Sequence, residues 1–271
     1  MFKLSSYGFG GRSISYTKLR RLNLLAAALF GLQAVLILVL SSASRGVKGI
    51  NISFLSHDLL ATQTAGQPVL VQATRHLFDI NLAYVVAAFL FIGMASSLLL
   101  ATHYRKEYES DLKRKTVRAR WIEYSLILGT VMIAIALVSG VFDLSLLLMI
   151  LGSTVFMGLL ALVTEANTQA TKKVNWLSYW LGLGAGVLPW LIVIVYLWGA
   201  HAFDGGVATY VYWVIISMIL LFASLVINRG FQYKKLGHWE NYLFGERMYI
   251  VLMFIAATAL AWQLFFGTLR G

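Results

Sequence analysis

Seven long apolar stretches restrict what this chain can fold into. About 20 helical residues cross the ~30 Å hydrocarbon core of a bilayer, and a helix satisfies its own backbone hydrogen bonds there. The stretches that reach this length are residues 22–42, 80–103, 119–140, 144–166, 176–199, 208–230 and 247–268. We therefore predict an all-α membrane protein, with residues 1–271 forming a single domain of seven transmembrane helices.

The composition supports a membrane protein and excludes several kinds of chemistry. Hydrophobic residues make up 59% of the chain and charged residues only 12%, whereas soluble domains carry roughly 25% charged residues. The chain has no cysteine, which excludes disulfides, thiolate metal sites and cysteine nucleophiles. Catalytic-triad, zinc-binding and nucleotide-binding motifs are missing as well, so we expect no enzymatic activity.

The basic residues are distributed unevenly between the two sides of the predicted membrane. Of 22 Lys and Arg residues, only Arg45, Lys48, Arg75 and Arg270 fall on the side opposite the N-terminus. Because cytoplasmic loops collect Lys and Arg, we predict a multi-pass plasma-membrane protein with its N-terminus inside and its C-terminus outside. The basic inside loops then face lipid and a possible cytoplasmic protein partner, and nucleic acid is not expected.

The connections between the stretches are short except for residues 43–79. Alternating runs at Asn51–Ser56 and Val69–Thr74 flank the turn-forming segment Ala65–Pro68, a pattern typical of a β-hairpin. We predict that this hairpin lies over the extracellular face. The inside stretch 104–118 mixes basic and acidic residues, which indicates a solvated helical extension before the third span.

Ionisable residues are rare within the predicted spans. Glu123 lies one turn inside the third span, Glu165 and Asp143 lie at span ends, and no Lys, Arg or His lies at the centre of any span. A carboxyl group in a span is costly and often functional. Glu123 is either a structural carboxyl, with Arg120 as one possible partner, or a ligand or proton site. A proton relay would need a chain of such groups, so pumping is not predicted.

Sequence blocks in or beside the third, fifth, sixth and seventh spans form a specific combination. These blocks are Arg120–Leu126, Asn175–Trp176, Gly186–Trp190, Gln232–Lys235, Tyr242–Glu246, Tyr249–Leu252 and Ala259–Gln263. Together they resemble the heliorhodopsins. The resemblance implies a seven-helix rhodopsin-like bundle that is inverted relative to other rhodopsins, an extracellular hairpin after the first helix, and a homodimer.

Heliorhodopsins attach retinal through a Schiff base to a lysine in the seventh helix, and the matching position here is Ala257. An imine needs a primary amine, so the resemblance implies that retinal cannot bind covalently at this position. The family histidines of the first and second helices match Phe30 and Ser97. The loss of several polar groups together favours a natural lysine-less member over a single laboratory substitution.

Glu123 matches the residue that balances the protonated Schiff base in the family. Without a cation beside it, a buried carboxyl group favours its neutral form. We therefore expect Glu123 to be protonated near neutral pH unless Arg120, water or a ligand cation compensates its charge.

Two functions follow from these observations. The first is a light-independent signalling or protein-interaction role in the membrane. The alternative is a sensory protein that binds retinal, another isoprenoid or a lipid without a covalent bond. Its pocket would be apolar, with Glu123 at its polar end and an aromatic lining of Phe30, Trp190, Phe222 and Trp262. A transporter or channel would need a polar path, which the charge-poor spans do not offer.

Overall fold

A computed structural model describes residues 15–58, 62–64, 66–203 and 205–270. Within these residues the chain forms eight long helices and one β-hairpin. In chain order they are α1 (Tyr16–Leu40), β1 (Val47–His57), β2 (Leu70–Asn81), α2 (Leu82–Ala101), α3 (Arg105–Arg114), α4 (Arg118–Val138), α5 (Leu144–Thr171), α6 (Trp176–Ala202), α7 (Thr209–Lys234) and α8 (Tyr242–Leu264). A π-helical turn continues α8 from Phe265 to Leu269.

Seven of these helices are long and apolar enough to cross a membrane, and only α3 is not. The predicted seven-helix fold is confirmed. The helices extend past the predicted stretches at several ends, since α1 begins at Tyr16 and α7 continues to Lys234. Polar residues outside the hydrocarbon still propagate a helix when a cap satisfies its first N–H groups. The Ser15 side chain accepts from the Lys18 N–H at 3.3 Å, which caps α1.

The order of the helices defines two ends of the bundle. One end of the bundle, which we name the α3 end, holds the N-terminus of α1 and the whole of α3. The α5–α6 and α7–α8 connections lie at the same end. The β-hairpin and the α4–α5 and α6–α7 connections lie at the other, which we name the hairpin end. The predicted basic side of the membrane corresponds to the α3 end.

The predicted β-hairpin is confirmed and is longer than the sequence pattern indicated. β1 pairs antiparallel with β2 from Val47 opposite Asn81 to His57 opposite Leu70. The hairpin contacts the α4–α5 connection, where the Asn51 N–H donates to the Phe142 carbonyl oxygen at 2.9 Å. Ala65, part of the predicted turn, lies outside the described residues.

The stretch between α2 and α4 differs from the predicted helical extension. Lys115 adopts a left-handed conformation with φ of 58° and ends α3, and α4 begins only at Arg118. α3 is therefore a separate helix, and its Tyr108 and Leu112 side chains are buried. These two residues lie four apart on one face, which explains why a mostly charged segment packs against the bundle.

Candidate functional site

A group of charged side chains is buried at the α3 end of the bundle. α4 contributes Arg120 and Glu123, and three further helices contribute Glu165, Arg229 and Glu246. All five residues are at most 6% exposed. We name these five residues the charged cluster. Buried charges are stable only when they are paired and hydrogen-bonded, so their partners define the site.

Arg120 joins four helices through its guanidinium group. Its Nε donates to Glu246 Oε1 at 2.8 Å, and its Nη1 forms an ion pair with Glu123. Its Nη2 donates to Asn23 Oδ1 on α1 and to the Tyr108 hydroxyl on α3, both at 3.1 Å. Charge-assisted hydrogen bonds are among the strongest in proteins, so this side chain fixes α1, α3, α4 and α8 relative to one another.

Tyr108 anchors α3 to the charged cluster. Its hydroxyl donates to Glu246 Oε1 at 2.8 Å. Burial, together with the nearby Glu246 carboxylate, raises the pKa of the Tyr108 phenol above its ordinary value. The phenol therefore stays protonated and remains a hydrogen-bond donor.

Glu165 makes the second set of contacts in the charged cluster. Its carboxylate accepts from Trp121 Nε1 at 2.6 Å, from the Val117 N–H at 3.3 Å and from the Tyr242 hydroxyl at 2.5 Å. Arg229 Nη1 lies 3.6 Å from Glu165 Oε1. These contacts tie α5 to α4, α7 and α8.

Arg229 is less completely paired than Arg120. Its Nη2 lies 4.0 Å from Glu246 Oε2, and its guanidinium carbon lies 4.6 Å from the centre of the Trp121 ring. Among the described residues, its Nε and Nη2 have no hydrogen-bond partner. Arg229 also lines a cavity of about 50 Å³, together with Tyr233 and Tyr249, and a cavity of this size has room for water.

Two residues of the charged cluster were not predicted as site residues from the sequence. Arg229 lies within α7, inside the predicted stretch 208–230, and is 6% exposed, and Glu246 is fully buried. A usable signal was the polar spacing of Asn228 and Gln232 around Arg229, which puts polar groups on one side of an apolar helix. The partners on α5 and α8 come from long-range packing, which a single sequence does not reveal.

The expectation for Glu123 depended on whether a cation lies beside it. The structure places the Arg120 guanidinium against the Glu123 carboxylate. The exception stated for Arg120 therefore applies, because a cationic side chain lies beside the carboxyl group. Its partner comes from the same helix, three residues earlier.

The predicted pocket residues do not meet in one cavity. Trp190 and Phe222, whose ring centres are 6.1 Å apart, line a cavity of about 10 Å³ beside Ala256. The Phe30 ring lies 5.0 Å from the Phe254 ring. Trp262 lies at the α1–α8 contact, where its Nε1 donates to Gln33 Oε1 at 3.2 Å. Glu123, the expected polar end, lines a different cavity.

The remaining predicted positions are tightly packed. Ala257 is 1% exposed and Ser97 is 2% exposed. A Cβ atom added at Gly93 would lie 2.9 Å from the Phe30 ring, so Phe30 fills the space next to α2. We name the five positions Phe30, Ser97, Trp190, Phe222 and Ala257 the apolar region.

The comparison with solved structures defines the class of fold. A light-driven proton pump, LR (Mac) from Leptosphaeria maculans, superimposes with a TM-score of 0.61 at 11% sequence identity, covering 93% of this chain and 95% of the pump. At that identity the likeness shows a shared rhodopsin fold. None of the curated proteins matches this chain significantly.

A sequence model of the heliorhodopsin family matches residues 19–269, so the chain belongs to the heliorhodopsins. The residues present do not fit an imine-linked retinal. The seventh span, Tyr242–Leu269, contains no lysine, and an imine forms only with a primary amine. The cavity beside Ala256 measures about 10 Å³, close to the least volume that holds one water molecule. A polyene chromophore would have to displace side chains to enter.

Proposed function

We propose that this heliorhodopsin is a light-independent membrane protein with a signalling or protein-interaction role and without enzymatic activity. The observation that carries the proposal is the seventh span without a primary amine, at the position that Ala257 occupies. The close packing of Phe30 and the small cavity beside Trp190 support it, because a chromophore pocket would need more space.

The charged cluster supports a role that does not depend on a chromophore. Glu123 pairs with Arg120 from its own helix, so it has a cationic partner without a bound ligand. The cluster lies at the same end of the bundle as the connections that carry Lys172, Lys173 and Lys235. We propose that these connections face the cytoplasm and bind a protein partner, and that the protein acts as a homodimer in the plasma membrane.

A retinal titration tests the first part of this proposal. The purified protein is mixed with all-trans-retinal, and absorption spectra are recorded. We expect no strongly red-shifted visible band, because that band requires a protonated imine. The matched variant is Ala257→Lys, which supplies the amine. A red-shifted band in the unmodified protein contradicts the proposal, and a band near that of free retinal that is lost on competition favours non-covalent binding.

Light independence and membrane orientation are tested separately. Amide hydrogen exchange of the retinal-incubated protein is measured in the dark and under illumination, and we expect identical protection. Because the chain has no cysteine, single cysteines at Lys172 and at Arg75 report orientation without background. An impermeant thiol reagent added to intact cells should label Arg75→Cys and not Lys172→Cys, and the reverse pattern would overturn the predicted topology.

A further inference from the structure

A groove opens on the side of the bundle between α2, α3 and α4. Its volume is about 580 Å³, within the roughly 300–1,000 Å³ of small-molecule sites. Its wall is formed by the apolar side chains of Ile92, Ala95, Leu99, Ile122 and Leu126. We name it the α2–α4 groove. It is separate from the cavity beside Trp190 and from the cavity beside Arg229.

The wall of the α2–α4 groove faces the region that lipid tails occupy. Leu99, Ile122 and Leu126 are 45%, 60% and 48% exposed. From Ile92 to Leu99 the groove follows α2 for about 10 Å at 1.5 Å per residue. An apolar channel of this length on the side of a transmembrane bundle suits part of an extended hydrocarbon chain.

The mouth of the groove lies at α3 and has a different chemistry. Glu107 and Asp111 line it and lie one helical turn apart on the same face of α3. In the part of the chain that the structure describes, neither carboxylate forms an ion pair. Arg118 supplies the basic group of the mouth, and the half-exposed Tyr104 ring lies beside them.

The local charge of the mouth is opposite to that of its surroundings. The α3 end as a whole is basic and attracts anionic lipids. At the groove, however, Glu107 and Asp111 face a single Arg118, while Glu123 at the inner wall is already paired with Arg120. An occupant with a cationic group and a neighbouring anionic group matches this arrangement better than a purely anionic one.

We propose that the α2–α4 groove binds one acyl chain of an aminophospholipid from the adjacent leaflet. The primary ammonium group donates hydrogen bonds to Glu107 and Asp111, and the phosphate accepts from Arg118. A quaternary ammonium headgroup has no N–H donor, and a glycerol headgroup has no positive charge. The groove therefore distinguishes phosphatidylethanolamine from phosphatidylcholine and phosphatidylglycerol. This inference is independent of the proposed function, because it involves neither Ala257 nor retinal.

Native mass spectrometry of the delipidated protein tests the headgroup preference. The protein is mixed with phosphatidylethanolamine, phosphatidylcholine or phosphatidylglycerol of identical acyl chains, and retained lipid is measured. Two exposed charge contacts predict roughly three- to tenfold higher retention of phosphatidylethanolamine. Equal retention of all three lipids, or a preference for phosphatidylglycerol, would overturn the proposal.

Three variants locate the binding to the groove. Glu107→Gln combined with Asp111→Asn should remove the preference while leaving acyl-chain retention. The matched control is Glu109→Gln, whose carboxylate pairs instead with Arg105 and whose change should leave the preference intact. Ala95→Phe, at an exposed wall position, should lower retention of all three lipids. A preference that survives in the double variant, or retention that is unchanged in Ala95→Phe, would contradict the assignment. Thermal unfolding confirms that each variant is folded.

Discussion

The charged cluster at the α3 end and the apolar region around Ala257 both lie inside the bundle but are held together by different interactions. In the charged cluster, Arg120 alone contacts Asn23, Tyr108, Glu123 and Glu246 through directional bonds. In the apolar region, Phe30 packs against Phe254 and the backbone of Gly93 by shape alone.

This difference suggests which part of the family's machinery is independent of a chromophore. Glu123 has a cationic partner, Arg120, on its own helix, so its pairing does not require a Schiff base. The apolar region has no charge to balance and little space to fill. We interpret the cluster as the framework of the bundle and the apolar region as a site released from retinal chemistry.

The largest effect is expected when the centre of the charged cluster is removed. Arg120→Met leaves Glu246 and Glu123 buried without their strongest partner, which should cost about 4–5 kcal/mol of the free energy of unfolding. The measurement is thermal and denaturant unfolding in detergent micelles. Lys106→Met, at an exposed position on α3, is the control and should cost under about 0.5 kcal/mol. Equal stability of the two variants would show that the cluster is not the framework.

A cavity in the apolar region should cost somewhat less. Phe30→Ala removes a ring that is 2% exposed, and large-to-small changes of this kind cost about 3–5 kcal/mol. We expect about 3 kcal/mol, because Met94 and Phe254 can move into the space. The same unfolding assay gives the value, with Phe30→Leu as a control that keeps most of the volume. A cost below about 1 kcal/mol would mean that the region is loosely packed.

Neutralising a peripheral member of the charged cluster should have a moderate effect. Glu165→Gln keeps the shape of the side chain but weakens the hydrogen bonds from Trp121 and Tyr242 and the ion pair with Arg229. A loss of about 1–3 kcal/mol is expected. Trp121 fluorescence should change as well, because its Nε1 donates directly to this carboxylate. Unchanged stability and fluorescence would remove Glu165 from the cluster.

A smaller, pH-dependent effect is expected at the hairpin end. Burial raises the pKa of Asp143, but hydrogen bonds from Ser53 and Ser145 outweigh burial, so this pKa lies below its ordinary value. A carboxylate whose pKa is lower in the folded state stabilises the fold at pH values above its unfolded-state pKa of about 3.9. This stabilisation is lost as the pH falls through the folded-state pKa. Hydrogen-exchange protection at Ser53 should therefore fall in acid.

The control for this effect is Asp143→Asn, which accepts a hydrogen bond at any pH. Its protection at Ser53, after correction for intrinsic exchange rates, should not change between neutral and acidic pH. The account of the hairpin contact fails if the unmodified protein and this variant share the same pH dependence.

The smallest effect is expected at Ser97. Within the described residues its hydroxyl has no hydrogen bond, although the residue is 2% exposed. Ser97→Ala should change the free energy of unfolding by less than about 0.5 kcal/mol, in contrast to Arg120→Met. A loss above about 1 kcal/mol in the unfolding assay would reveal a polar network in the apolar region and weaken the comparison.

The sequence predicted the elements of the fold better than it predicted the contacts of the site. Apolar length located all seven spans, and alternation located the β-hairpin, because both patterns are local. Arg229 was not predicted as a site residue because it lies near the basic end of α7, where Lys and Arg indicate only membrane orientation. The pairing of Glu246 with Arg120 joins residues far apart in the chain, and no local pattern encodes it.

The predicted pocket shows a related limit. Phe30, Trp190, Phe222 and Trp262 were grouped because each lies on an apolar helix near a family motif. Helix rotation and rotamers decide which of them face the same space, and in the described part of the chain Trp190 and Phe222 line one cavity together. The match of Ala257 to the family's lysine position, by contrast, could be found from the order of residues in one helix alone.

The most direct test is peptide mapping by mass spectrometry after incubation with all-trans-retinal and reduction with borohydride, which makes any imine permanent. The peptide that contains position 257 should be unmodified in the unaltered protein, whereas in Ala257→Lys the same peptide should gain one retinyl group once the variant accepts the chromophore. A retinyl adduct on any side chain in the interior of the unaltered bundle would contradict the proposal that retinal cannot bind covalently there.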